Sequence, residues 1–295
     1  MPYNTVVLGI HEDMPDRSIR LNAGLSVETG TKLVLVAAYT PGTGSAQTFD
    51  VASAAERALE KAMMMCAEFG HHNVESHAVP GDPVRVLSEA VTQHDAGLLV
   101  VGSRGLAGLA DRLLGSVPGN LARQVDCDVL VVHTTGNHRR HLFSKRSRDK
   151  YQRTIVVGVH DSPRSLRAAE RAGAIAADYD AELVLVGAYE DMDWTELKKA
   201  RDTLREESYL VQGTFPIESA LRDGEAKARA KGAAKVEQLV VHGDAMKGLL
   251  KVADERQADV LVLGNHQLTG RMSQLIGSIS AQVSRKTDTH VLLVH

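Results

Sequence analysis

The sequence predicts an α/β protein that contains two copies of one doubly wound domain, each built on a parallel five-stranded sheet. Three observations predict this class. Short β-branched apolar runs alternate with segments of helical spacing, the same runs return in the second half, and 295 residues suit two domains of ordinary size. With 43% hydrophobic and 24% charged residues, the composition excludes disordered and collagen-like chains.

The two halves carry the same sequence blocks in the same order. TVVLGIH at 5–11 returns as TIVVGVH at 154–160, and AGLLVVGSRGLAG at 96–108 returns as ADVLVLGNHQLTG at 258–270. The offset is 149 residues at the first block, 150 at the second strand and 162 at the later block, so 12 extra residues fall within 190–213. A period this long indicates a tandem repeat of a whole domain rather than a solenoid.

Charge also separates the chain into three parts. Residues 1–136, the first predicted domain, carry a net charge of −6, the basic linker 137–153 carries +6, and the second domain 154–295 carries −3. The linker holds only Phe143 and Tyr151 as aromatic residues. We therefore interpret it as a solvated linker and expect no specific nucleic-acid binding, although a basic segment can contact an anionic surface.

The predicted strands are short runs bounded by Gly, Pro, Asp or His, as in sheets that are covered on both faces. Alternation with helices predicts right-handed βαβ units. The strands are predicted at 4–10, 32–39, 74–79, 97–102 and 128–133, and again at 154–159, 182–188, 236–241, 259–264 and 290–294.

Helical spacing and capping residues mark the helices. Residues 52–70 form a predicted helix that ends at Gly70, and Asp82 followed by Pro83 is typical of an N-cap and first helical residue. Asp244 opens the matching helix in the second half. The inward stripe of the first helix is predicted to be Ala55, Leu59, Ala62, Met63, Cys66 and Phe69.

The sequence indicates a cytoplasmic protein without membrane contact. No apolar run approaches the ~20 residues that span a bilayer, and the first residues, MPYNTVVLGI, lack a signal-peptide pattern. Cys66 and Cys127 stand far apart, without the spacing of a metal site or of a secreted disulfide framework.

A glycine-rich segment follows the fourth strand of the first half. It reads Gly102, Gly105 and, after nine residues, Gly115 and Ser116. Open parallel sheets bind ligands at the carboxyl ends of their strands, and a glycine turn followed by a helix start suits a phosphate. The alternative is that the glycines only form turns and Ser116 only caps the next helix. The second copy has Gly264, Gly277 and Ser278, with Gln267 at the second glycine position.

VGSRGLAGLADRLLGS matches the G-x2-G-x9-G-[S/T] loop of the universal stress proteins at every fixed position, so the chain resembles a tandem universal stress protein of the actinobacterial type. The resemblance implies flavodoxin-like (Rossmann-like) sheets of order 3-2-1-4-5, with the last strands paired as a pseudo-dimer within one chain. It also implies a stress-response role and, in one branch of the family, bound ATP, with Mg²⁺ where it accompanies the nucleotide.

The resemblance also implies the site residues. Gly102, Gly105, Gly115 and Ser116 would bind the phosphates and ribose. Gly9 and His11 would lie near the adenine, together with the backbone at Ala38, and Gly81 would border the ribose. The weaker second site would contain Gly264, Gly277, Ser278 and His160.

The chain departs from the family pattern at the end of the first strand of each half. His11 and His160 stand where the family usually has Asp, and Gln267 replaces a loop glycine, so we rank the first site above the second. An imidazole can still form one hydrogen bond to adenine or stack on it. Several other histidines lie at strand ends, but no Cys or carboxylate spacing accompanies them, and we predict no metal site.

We interpret the chain as an adenine-nucleotide-binding stress protein that has no predicted catalytic residue and is at most a slow ATPase. One alternative is a nucleotide-free scaffold for protein partners. Another is an adenine-nucleotide α-hydrolase, which would carry an SGGxDS loop where this chain reads GIHEDMPDRS. A homodimer is a further expected assembly, and a charged helix at 191–208 is either a cover for the second site or a surface decoration.

Overall fold

A computed structural model describes residues 3–11, 30–42, 45–103, 117–133, 153–189, 215–265, 287 and 289–295. These residues form ten strands and six helices. The chain divides into two compact units, the first Met1–Tyr151 with Asp288–Leu293 and the second Gln152–Thr287 with Val294–His295. Among the described residues, no helix is long and apolar enough to cross a membrane.

The first unit contains a mostly parallel sheet in the order β3-β2-β1-β4-β5, as predicted, and β10 continues it antiparallel to β5. The pairing of the two terminal strands satisfies an apolar edge that would otherwise be exposed. The central strands are fully buried, which is why their sequences are continuous apolar runs. The strands are β1 Thr5–Gly9, β2 Lys32–Tyr39, β3 Val74–Pro80, β4 Leu98–Gly102, β5 Asp128–Val132 and β10 His290–Val294.

The helices of this unit are α1 Ser45–Glu68, α2 Pro83–Gln93 and α3 Val117–Gln124. Helix α1 starts seven residues before the predicted position and ends just before Gly70, whose φ of +77° suits glycine after a helix.

The predicted inward stripe of α1 is wrong at Met63 and Phe69, which are only half-buried, while Met65 is buried. At 100° per residue Met63 lies about 80° from Ala55 on one side of the helix. The buried stripe extends to the other side, through Ala58 toward Met65.

Both predicted N-caps are confirmed. Asp82 accepts a hydrogen bond from the backbone N–H of Arg85 at 3.0 Å and opens α2. Asp244 accepts one from Lys247 at 2.7 Å and opens the equivalent helix of the second unit. Each carboxylate satisfies a backbone donor that has no partner inside the helix.

In the second unit four parallel strands lie in the order β8-β7-β6-β9, which is the predicted order for the first four strands of that repeat. The strands are β6 Thr154–Val159, β7 Glu182–Tyr189, β8 Lys235–His242 and β9 Val260–Gly264, and the helices are α4 Pro163–Tyr179, α5 Phe215–Ala230 and α6 Ala245–Glu255.

Arg153, the last residue of the predicted linker, is not a solvated residue. It is buried, donates from Nη1 to the carbonyl of Tyr179 at 2.6 Å, and lies 5.8 Å from the centre of the Tyr179 ring. The remainder of the linker and the predicted helix at 191–208 lie outside the described residues.

Candidate functional site

Strand order reverses in the first unit between β1 and β4. β1 pairs with β2 on one side and with β4 on the other, and Leu8 lies opposite Val100. Continuing this register puts Gly9 beside Val101, and a Cβ added at Gly9 would lie 3.5 Å from Cγ1 of Val101. The carboxyl ends of the two strands therefore lie side by side, at the position where open parallel sheets bind ligands.

The end of β1 is fixed by β2 and α2. The backbone N–H of Ile10 donates to the carbonyl of Val36 at 2.8 Å, and the next residue, His11, is half-buried. A Cβ at Gly9 would come within 3.2 Å of Cδ1 of Leu87, so glycine here allows α2 to pack closely over the strand. Ala38 lies two residues beyond Val36 along β2 and is also half-buried.

A glycine turn brings the start of α2 to the same edge. Gly81 has a φ of +146°, and its N–H donates to the carbonyl of Tyr39 at 2.9 Å. Gly243 repeats this arrangement in the second unit, with a φ of +95° and a 2.8 Å bond to Tyr189. The repeated geometry shows why both copies require glycine at this position.

The predicted phosphate loop begins at the same edge. β4 ends at Gly102, and the N–H of the following Ser103 donates to the carbonyl of Val132 at 2.8 Å. Gly105, Gly115 and Ser116 lie outside the described residues, and α3 begins at the next residue in the chain, Val117. The described residues thus bring together Gly9, His11, Ala38, Gly81 and Gly102 at one edge of the sheet.

In the second unit, His160 precedes α4 and contacts two serines at the start of that helix. Its N–H donates to Oγ of Ser165 at 2.8 Å, and its Nε2 lies 3.4 Å from Oγ of Ser162. Ser162 also caps α4 by accepting from the N–H of Ser165 at 3.2 Å. Sequence reasoning missed both serines, although a serine directly before proline is a typical helix start.

The backbone of α4 lies directly against the end of β9. A Cβ at Gly264 would be 3.0 Å from the carbonyl carbon and oxygen of Arg164 and 3.0 Å from the backbone N of Ser165. The next residue, Asn265, donates its N–H to Val294 at 2.7 Å, and its amide contacts Nε2 of His295. This packing restricts the space above Gly264. Gly277 and Ser278 lie outside the described residues.

A separate cavity of about 820 Å³ lies between α1 and β3. Its lining contains none of the predicted nucleotide-site residues. The lining residues are Glu56, Leu59, Glu60, Met63, Met64, Ser76, His77, Ala78 and Val79.

Two doubly wound units with glycine turns at equivalent strand ends define a tandem protein of the flavodoxin-like class. The model of the universal stress protein family matches residues 3–133 and, a second time, residues 152–295. The chain therefore belongs to the universal stress protein family, with two copies of the family's domain.

The chain is also similar to a curated relative and to solved structures. Universal stress protein Rv1636 of Mycobacterium tuberculosis is 41% identical over 143 residues, which are 48% of this chain and 96% of the relative. A universal stress protein crystallised in complex with cAMP is 40% identical and aligns 48% of this chain with 97% of its own, at a TM-score of 0.40. A universal stress protein from Archaeoglobus fulgidus, 17% identical, has the same fold over 99% of this chain and 96% of its own, with a TM-score of 0.68.

Proposed function

We propose that this universal stress protein binds an adenine nucleotide, ATP, at the carboxyl edge of the first unit, and that it acts in a stress response without fast turnover. One observation carries the proposal. Gly9 with His11 and Gly102 lie at the ends of the two neighbouring strands where the order reverses, and Gly81 lies at the same edge of the sheet, bonded to the end of β2. Membership of the universal stress protein family supports the same ligand class.

The residues at this edge fit a nucleotide chemically. Gly81 and Gly102 present backbone there without a side chain, as close approach to a phosphate or ribose requires. The positive end of the dipole of α3, which begins at Val117, favours an anion. His11 would bind the adenine edge through one ring nitrogen, and Ala38 would contribute backbone. Mg²⁺ would accompany ATP on the phosphate oxygens.

A nucleotide-free scaffold is the second candidate, and the second unit favours it. The His160 backbone and ring are both engaged by serines of their own turn, and the backbone of α4 covers Gly264. If both units lack nucleotide, the fold would serve to present surfaces to protein partners.

Isothermal titration calorimetry with ATP, and separately with cAMP, tests the proposal on a matched pair of variants. Gly105→Arg places a long side chain in the predicted loop of the first repeat, and Gln267→Arg places the same side chain at the equivalent position of the second. We expect the unmodified chain to bind one ATP, Gly105→Arg to weaken binding at least about tenfold because it crowds the phosphates, and Gln267→Arg to leave binding unchanged.

The controls are circular dichroism spectra that show both variants folded. Absence of binding of either nucleotide to the unmodified chain would favour the scaffold. Loss of binding in Gln267→Arg but not in Gly105→Arg would contradict the proposal, because it would show that the nucleotide binds to the second unit.

A further inference from the structure

Three side chains with metal-ligating atoms meet in the first unit, outside the nucleotide edge. Glu75 and His77 are two positions apart along β3 and therefore project from the same face of the strand. His94 is the C-cap of α2, the helix that follows β3 through the turn at Gly81. Because α2 runs back along the sheet, its last turn returns to the beginning of β3.

The ligating atoms lie close to the spacing that a metal ion requires. Oε2 of Glu75 is 3.8 Å from Nε2 of His77 and 3.8 Å from Nδ1 of His94, and one ligating atom from each residue lies within 4.8 Å of the other two. Two ligands at about 2.1 Å from a tetrahedral ion are about 3.4 Å apart. Small side-chain rotations therefore suffice to close the cluster around an ion.

We propose that Glu75, His77 and His94 form a surface site for a divalent transition-metal ion of the Zn²⁺, Ni²⁺ or Cu²⁺ class. Two imidazoles and one carboxylate suit these ions, whereas Mg²⁺ and Ca²⁺ prefer oxygen ligands. The side chains of Glu75 and His77 are 47% and 46% exposed and that of His94 is 18% exposed. The ion would therefore reach them from solvent, and water would complete its coordination.

Lys32 positions the carboxylate for this role. Its Nζ lies 2.8 Å from Oε1 of Glu75, so the second oxygen, Oε2, faces the two histidines. The ion pair with Lys32 requires an ionised carboxylate, which is also the form of Glu75 that ligates a metal.

The second repeat shows what these positions look like without metal ligands. At an offset of 162 residues, Glu237 matches Glu75, Leu239 matches His77 and Arg256 matches His94. Arg256 forms an ion pair with Glu237 there, linking the helix end to the edge strand. A guanidinium fulfils that structural role without binding metal, since it has no acceptor atom. The imidazoles at both positions of the first repeat have the acceptor atoms that the second repeat lacks, and metal binding would use them.

Titration of the full chain with ZnCl₂ in a chelator-free buffer, followed by calorimetry, tests the site. The test variant is H77L/H94R, which introduces the residues of the second repeat and preserves a charge pair with Glu75. We expect it to lose one Zn²⁺ site per chain, or to raise the Kd of that site at least about tenfold, because even an outer partner of a ligand contributes about 10–100-fold. His72→Asn, which removes an exposed histidine outside the cluster, should change nothing.

Two further readouts separate the site from folding and from nucleotide binding. Zn²⁺ should raise the Tm of the unmodified chain and of His72→Asn more than that of H77L/H94R, because a ligand that binds the native state stabilises it. ATP binding should be the same in all three proteins. Equal Zn²⁺ stoichiometry and Kd in H77L/H94R and the unmodified chain would overturn the proposal.

Discussion

Alanine substitutions at two helical glycines of the second unit would test how closely α4 and α5 pack. Gly173 lies in α4 and Gly224 in α5, and alanine at either position gains about 1 kcal/mol of helix propensity. At Gly224 the new Cβ would lie 3.5 Å from Cβ of Ala169 and 3.5 Å from Cγ1 of Val159, which are ordinary contacts. We expect Gly224→Ala to raise the free energy of unfolding by about 0.5–1 kcal/mol.

The same substitution at Gly173 should have the opposite effect. Its Cβ would lie 2.5 Å from Cα, 2.6 Å from the carbonyl oxygen and 2.9 Å from the carbonyl carbon of Ala228. Backbone atoms cannot rotate away, so the two helices must separate. Overpacking of this kind costs about 1–3 kcal/mol, and contact with backbone places the cost near the upper end. After the propensity gain, we expect a net loss of about 1–2 kcal/mol.

Urea unfolding followed by far-ultraviolet circular dichroism measures both variants against the unmodified chain. The midpoint gives the change in the free energy of unfolding when the slope is unchanged. If the two units unfold in separate transitions, the comparison applies to the transition of the second unit. Equal stabilisation of the chain by Gly173→Ala and Gly224→Ala would refute the close packing of α4 on α5.

Two further predictions concern buried thiols and a helix cap. Burial raises the pKa of Cys66 to about 11 and that of Cys127 to about 12, so at pH 8 about one Cys66 thiol in a thousand is ionised. Native protein should therefore not react with Ellman's reagent within minutes, whereas protein unfolded in urea should react at both thiols. Rapid labelling of native protein would contradict this burial. Asp244→Ala removes the 2.7 Å hydrogen bond from the backbone N–H of Lys247 and should lower the free energy of unfolding, measured by urea unfolding, by about 1 kcal/mol. An unchanged urea midpoint would show that this cap does not contribute to stability.

Eight of the ten strands were predictable from the sequence because a strand covered on both faces must be a continuous apolar run, whereas β3 and β8 are less buried and include charged and polar residues. All ten observed strands fall within two residues of the predicted bounds. The start of α1 was not predictable by the same means. Phe49 in its first turns is 72% exposed, so apolar periodicity does not mark that part of the helix.

The candidate site was predictable where topology alone decides it. Strand order determines that Gly9 and Gly102 share an edge, and glycine followed by an N-cap marks the turn at Gly81. The cluster of Glu75 with His94 was not predictable from spacing, because the two residues meet only through the return of α2 along the sheet. The usable signal was local: a Glu-x-His alternation on a strand, followed by a histidine directly after the next helix.

Equilibrium dialysis of the full chain against labelled ATP tests the central claim most directly. The account predicts saturation at one ATP per chain, lost in Gly105→Arg and retained in Gln267→Arg. Absence of bound ATP at saturating concentrations would contradict it.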